Sequence, residues 1–228
     1  MRIAEIYLSI QGEGLLTGAE SVFVRTSGCN LRCWFCDTPF ASWTPEGDDL
    51  STGEILDRVE EFGCRHVVLT GGEPMLFAEL LPLADELRRR RMHITIETAG
   101  TLDLPVACDL MSISPKLSNS APAARRHPRW HRRHEQTRHA PAIVRRLTAD
   151  YEYQLKFVMD RPRDCREVES YLAQFPEVDR SRVLLMPQGT TADELTLRGR
   201  WLKPYCEATG FRFCPRRQIE WFGLVRGT

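Results

Sequence analysis

Apolar positions along the chain fall into two alternating rhythms. Six short runs rich in β-branched residues read as strands: Val22–Ser27, His66–Thr70, His93–Glu97, Leu110–Ser114, Tyr153–Met159 and Arg182–Met186. Longer stretches with helix-like patterning lie among them: Thr52–Phe62, Met75–Arg90, Ala142–Asp150, Arg163–Ala173 and Asp193–Ala208. This order predicts a parallel sheet with helices outside it. Six strands in 228 residues are too few for a complete eight-stranded barrel. The expected class is therefore α/β, a partial (β/α) barrel of about six parallel strands, with a doubly wound sheet as the structural alternative. Residues 1–228 are expected to form a single domain.

In either architecture ligands sit at the carboxyl ends of the strands. The unusual residues of this chain follow those ends. Gly28-Cys29 follows the first predicted strand, Gly71-Gly72-Glu73-Pro74 the second and Thr98-Ala99-Gly100 the third. Pro115-Lys116 follows the fourth and Pro187-Gln188-Gly189 the sixth. One edge of the sheet is thus expected to collect nearly all the candidate chemistry.

Composition narrows the class without naming a ligand. Hydrophobic residues make up 42%, enough for a core, and 31 basic residues balance 31 acidic ones. The global charge therefore predicts no polyanion partner. No apolar run approaches the ~18 residues of a membrane span, and Met1-Arg2-Ile3-Ala4-Glu5 carries no apolar signal region. A cytoplasmic location is expected. The balance is uneven locally. Residues 118–146 hold eight arginines against Glu135 alone, and also His127, His131, His134 and His139. That segment carries +7 and leaves −7 elsewhere. It reads first as a solvated surface insertion, and second as a site for a phosphate-bearing or acidic protein partner.

Three of the eight cysteines fall within eight residues: Cys29, Cys33 and Cys36, a C-x₃-C-x₂-C run. Cys64, Cys108, Cys165, Cys206 and Cys214 are scattered and read as small core residues. Three thiolates fit neither a four-ligand structural zinc site nor a pair of disulfides. On a [4Fe–4S] cluster they would leave one iron open to a small molecule, and soft sulfur suits such clusters. Gly28, Asn30 and Pro39 favour a loop around an object over a helix.

The cysteine run, with aromatic Phe35 before its last member, resembles the radical S-adenosylmethionine superfamily. The resemblance implies that S-adenosylmethionine chelates the open iron and that the reduced cluster cleaves it to a 5′-deoxyadenosyl radical. Gly71-Gly72-Glu73-Pro74 is similar to the superfamily's motif for the methionine amino group, with Glu73 as acceptor.

Further segments narrow the resemblance: Ser9-Ile10-Gln11-Gly12-Glu13-Gly14, Arg25, Asp37-Thr38, Ser112-Ile113-Ser114-Pro115-Lys116, Met186-Pro187-Gln188-Gly189 and Arg226-Gly227-Thr228. Together they resemble the 7-carboxy-7-deazaguanine synthase family over essentially the whole chain. That family contracts 6-carboxy-5,6,7,8-tetrahydropterin to 7-carboxy-7-deazaguanine with loss of ammonia, using S-adenosylmethionine catalytically and Mg²⁺. The resemblance implies Cys29, Cys33 and Cys36 as cluster ligands and Thr38 at Mg²⁺. It implies Phe35, Asp37, Gly72, Glu73, Glu97, Ser112, Ser114, Lys116 and Gln188 around S-adenosylmethionine. Ile10, Gln11, Gly12, Glu13, Arg25, Thr70 and Thr228 would hold the substrate, Arg25 as a fork on its carboxylate and the Thr228 carboxylate on its amino edge. A flavodoxin- or ferredoxin-type reductant and a homodimer are implied as partners, with no nucleic acid and no membrane. The chain departs from the family at Gln218, where many members carry histidine, and in its Arg/His-rich insertion. Two rivals stay open: a radical activase making a glycyl radical on a partner protein, and a zinc-stapled RNA-binding module.

Overall fold

The computed structural model describes residues 1–228. Nine strands form one sheet: β1 (Arg2–Ile10), β2 (Glu20–Thr26), β3 (Asp48–Asp49), β4 (His66–Gly71), β5 (His93–Thr98), β6 (Leu110–Ile113), β7 (Tyr153–Met159), β8 (Val183–Pro187) and β9 (Arg212–Phe213). Their order is β3-β1-β2-β4-β5-β6-β7-β8-β9. From β2 to β9 all neighbours are parallel, while β1 runs antiparallel to both β2 and β3. The six predicted strands are therefore six consecutive parallel strands, with ends moved by a residue or two. Strand β1 was not foreseen. It lies near the sheet edge and mixes charged and apolar residues instead of carrying a continuous apolar run.

Helices α1 (Pro39–Ser42), α2 (Thr52–Glu61), α3 (Leu80–Arg89), α4 (Pro128–Thr137), α5 (Pro141–Asp150), α6 (Asp164–Leu172), α7 (Ala192–Thr209) and α8 (Arg217–Phe222) complete the chain. The helix expected over Met75–Arg90 is divided. A 3-10 turn, Pro74–Leu76, is capped by the Glu73 carboxylate on the Met75 N–H, and Phe77 is extended before α3 begins. Helix α2 starts with a complete capping box between Ser51 and Glu54.

Alternation along the parallel strands sorts residues onto two faces. Val22, Val24, Val67, Leu69, Ile94, Ile96, Leu155 and Phe157 point outward into a core of 36 buried residues shared with the helices. Arg25, Thr70, Glu97, Ser112 and Lys156 line a cavity on the opposite face. The loop between β1 and β2 crosses that concave side. Gln11 reaches Glu97 on β5, Glu13 reaches Lys156 on β7, and the Leu15 N–H donates to Gln154 on β7. Beyond β9, the Arg217 N–H donates to the Gly12 carbonyl at 3.0 Å. Loops, not strand pairing, thus bring the two ends of the curled sheet together, which makes a partial barrel. No helix is long and apolar enough to cross a membrane.

Candidate active site

A cavity of about 520 Å³ opens on the concave face, within the range of small-molecule sites. Of the twenty residues singled out from the sequence, nineteen line it. They include Cys29, Cys33, Cys36, Arg25, Thr38, Lys116, Gln188 and Thr228.

The exception is Glu73. It is fully buried, and its carboxylate accepts hydrogen bonds from the Met75 N–H, the Thr98 hydroxyl (2.8 Å) and the Ala99 N–H (2.8 Å). Burial pushes its pKa up, against those donors. Glu73 therefore ties the loop after β4 to the loop after β5, and its carboxylate does not line the cavity. The adjacent glycines also serve packing. A Cβ on Gly72 would sit 2.0 Å from the Gly28 carbonyl oxygen, and one on Gly71, at φ +131°, would sit 2.2 Å from that of Thr26. The close approach they permit is to the backbone leading into the cysteine loop.

The cysteine run is a loop, as expected. The Leu31 N–H points at Cys29 Sγ (3.4 Å), and Cys36 Sγ lies 3.2 Å from the Ser42 hydroxyl and 3.7 Å from that of Thr38. Burial pushes the Cys29 thiol up to about 11 and the Cys33 thiol up to about 12. A bound cation would reverse this, because a coordinating thiol loses its proton outright. No three His, Cys, Asp or Glu side chains gather tightly enough for a single metal ion. Three soft thiols lining one cavity suit a cluster with one thiolate per iron.

The insertion is not the solvated excursion expected. Helix α4 packs its inner side against the cysteine loop. His134 is fully buried; its Nδ1 accepts the Arg32 N–H, so the ring proton is on Nε2, which donates to Ser120 Oγ at 2.9 Å. Burial holds this imidazole down at about 4. The Trp34 N–H and indole N–H donate to the Ser120 and Asn119 carbonyls, and Trp43 Nε1 donates to the Cys33 carbonyl.

On the opposite wall a charge network fills the floor. Glu13 accepts from Lys156 Nζ (2.5 Å), Arg216 Nε (3.0 Å) and Gln218 Nε2 (2.6 Å). Burial opposes its charge, yet Lys156 and Arg216 outweigh that and hold the carboxyl well below the usual range. Arg216 also donates to Asp37 and to the Gly189 carbonyl. Gln11 donates to Glu97, which also accepts from Thr70 at 2.8 Å. Arg25 donates from Nε to Glu5 and from Nη2 to the Tyr7 hydroxyl, both at 2.6 Å, and its Nη1 has no protein partner. Lys116 Nζ donates to the Ser114 carbonyl and hydroxyl. Gln218, where the resemblance expects a histidine, keeps its Oε1 buried and unpartnered.

Sequence reading missed Lys156, Arg216, Glu5, Tyr7 and Gln154. A signal existed for two of these. Gln154 and Lys156 occupy alternate positions of the otherwise apolar run Tyr153–Met159, which marks a polar inner face. Arg216 lies in a loop with no such pattern. Of the scattered cysteines, Cys165 and Cys206 are in the core as expected, while Cys214 stands behind the site and accepts the Gly14 N–H.

Comparison with known proteins gives a consistent picture. Residues 23–119 match the model of the Radical SAM superfamily. A protein of Rhodopirellula baltica named 7-carboxy-7-deazaguanine synthase is 47% identical over 227 residues, covering 99% of this chain and 88% of its own length. One of the same name from Halobacterium salinarum is 43% identical, covering 95% and 88%. Among solved structures, QueE from Escherichia coli superposes with a TM-score of 0.70 over 95% of this chain and 93% of its own, and at 24% identity that likeness speaks for the fold.

Proposed function

The chain belongs to the 7-carboxy-7-deazaguanine synthase family of radical S-adenosylmethionine enzymes, and from that membership we propose how its cavity carries out the family's reaction. The reaction is the ring contraction of 6-carboxy-5,6,7,8-tetrahydropterin to 7-carboxy-7-deazaguanine with release of ammonia. The observation that carries this reading is the convergence, on one cavity, of the cysteine loop and the polar inner faces of β2, β4, β5, β6 and β7.

Cys29, Cys33 and Cys36 would hold a [4Fe–4S] cluster, with S-adenosylmethionine bound beside it in the same cavity. Together these groups supply a hydrogen-abstracting carbon radical. The protein's own work is binding, orientation and water exclusion. Phe35, Asp37, Gly72, Glu97, Ser112, Ser114, Lys116 and Gln188 surround the S-adenosylmethionine. Lys116, steadied by Ser114, offers the carboxylate of the methionine moiety a cation. Arg25, clamped by Glu5 and Tyr7, offers its free Nη1 to the substrate carboxylate. Ile10, Gln11, Gly12 and Thr70 face the amide edge of the pterin. Lys156, kept protonated by Glu13 despite its burial, fixes the floor as an ammonium donor and does not act as a base. Thr228 closes the wall with the C-terminal segment, which Arg226 pins to Glu5 and Glu46.

Mg²⁺ belongs to the same reading: the Thr38 hydroxyl on the cavity wall, a hard oxygen, would be its protein ligand. Thr38→Ala should blunt the Mg²⁺ titration of turnover and leave the cluster's absorption spectrum unchanged; an unaltered titration would put the ion elsewhere. A homodimer fits the exposed Trp221, Phe222, Leu224 and Val225. We place the enzyme in the cytoplasm, with a flavodoxin- or ferredoxin-type reductant. The deciding experiment is anaerobic reconstitution followed by turnover of the carboxy-tetrahydropterin, with mass detection of the carboxy-deazaguanine. A brown protein that cleaves S-adenosylmethionine but leaves the pterin intact would reject the substrate.

A further inference from the structure

Helix α4 is amphipathic in an unusual sense. Trp130, His131, His134 and Arg138 turn toward the protein. Arg129, Arg132, Arg133 and Gln136, spaced one helical turn apart, are exposed on the other side, beside exposed Arg125 and Arg126. None of the five exposed arginines has an ion-pair partner, whereas Arg138, Arg145 and Arg146 of the same segment are all paired. Unneutralised like charges on one helix repel, so this face is maintained against a cost in helix stability.

Its position relative to the cysteines is equally specific. Trp130 stacks under the Arg32 guanidinium, 4.0 Å from the ring centre, and Arg32 stands between Cys29 and Cys33. Arg32 in turn donates to the Cys29 and Leu31 carbonyls. In the same loop as Arg32, Trp34 lies between Cys33 and Cys36 in sequence and is 51% exposed. The exposed Arg133 also stacks on Trp130, so the cationic face of α4 is tied through Trp130 and Arg32 to the loop that carries the cysteines and Trp34.

We propose that this face of α4, with Trp34, is the docking surface for an acidic one-electron carrier protein. The inference rests on the reading of the three cysteines as cluster ligands. The carrier loses one electron, the cluster gains it, and no atoms are exchanged. Charge complementarity steers the carrier to the face of α4 that packs on the cysteine loop. An RNA partner is disfavoured: apart from Trp34, the patch lacks the row of exposed aromatic rings that stack bases, and the remainder of the protein carries −7.

The test measures binding of a flavodoxin to the reconstituted enzyme by tryptophan fluorescence, across a salt series, for the wild type and the triple variant Arg126→Glu/Arg129→Glu/Arg132→Glu. Arg145→Glu is a control for a basic residue of the same segment outside the patch. The expected result is a wild-type Kd that rises steeply with salt, and a triple variant weakened by about tenfold or more with a flattened salt response. Arg145→Glu should bind like the wild type. Dithionite-driven turnover of the triple variant should equal that of the wild type, since chemical reduction bypasses docking. Unchanged flavodoxin affinity in the triple variant would overturn the proposal. So would a short single-stranded RNA that binds the wild type more tightly than flavodoxin and is lost in the variant. Failure of dithionite-driven turnover in the wild type would reject the functional reading alone, because the flavodoxin affinities still decide the surface.

Discussion

The outer and inner faces of the same parallel strands are both buried but are held by different forces. Outward, Leu69, Ile96, Leu155 and Phe157 are close to fully buried in an unbroken apolar core. Inward, their neighbours Thr70, Glu97, Gln154 and Lys156 are also largely buried, but each is held by hydrogen bonds or ion pairs. The outer face contributes stability through area removed from water. The inner face retains polar groups whose desolvation is offset only because their partners are in place. A strand with period two can present both surfaces at once, so the fold and the site are built on one backbone and remain chemically separate.

The largest effect should come from the inner side. Cys33→Ala is expected to abolish iron retention and turnover while the unfolding midpoint of the metal-free protein hardly moves; iron analysis and urea unfolding check both halves. Phe157→Ala reverses the pattern. It removes a fully buried ring from the core and should cost about 3–5 kcal/mol in urea unfolding, with the folded fraction still loading a cluster.

Lys156→Met tests whether the inner face is stabilising or merely tolerated. Glu13 would keep Arg216 and Gln218 but lose its closest cation, and a loss of about 3 kcal/mol is expected. The double variant Glu13→Gln/Lys156→Met should recover part of that loss; if it is as unstable as the sum of its singles, the two groups are not coupled.

The smallest effect is a pH response at the seam between α4 and the cysteine loop. The pKa of His134 lies at about 4 in the folded protein, below its ordinary value of 6.5. Between those values the unfolded chain binds the proton and the folded one does not, so stability rises with pH there. The His134 contribution is whole above pH 6.5 and falls away as pH drops toward 4. Melting temperature against pH should show this slope in the wild type and lose it in His134→Gln.

Much of this organisation was legible in the chain. The cysteine spacing, the glycine-rich turn after β4 and the polar motifs at strand ends each depend on neighbours in sequence, and all but Glu73 of the expected residues reached the cavity wall. Glu73 departed because a carboxylate beside three unpaired backbone and hydroxyl donors satisfies them first. Helix α4 was obscured because its inner face is built from tryptophan and histidine instead of aliphatic residues, so a hydropathy pattern reads it as surface.

What the sequence by itself determined is the local grammar: which runs are strands, which residue types could hold an iron–sulfur cluster, and the edge of the sheet where they emerge. These follow from side-chain period, glycine and proline geometry, and the softness of sulfur, none of which needs a distant partner. Only the tertiary structure decided that Arg216 and Gln218 meet Glu13 across some two hundred residues, that Arg25 is clamped by Glu5 and Tyr7, and that His134 lies under Arg32. Those pairings depend on how far the sheet curls and where its loops cross, and on burial making an ion pair outweigh desolvation. Sequence spacing carries no record of either quantity.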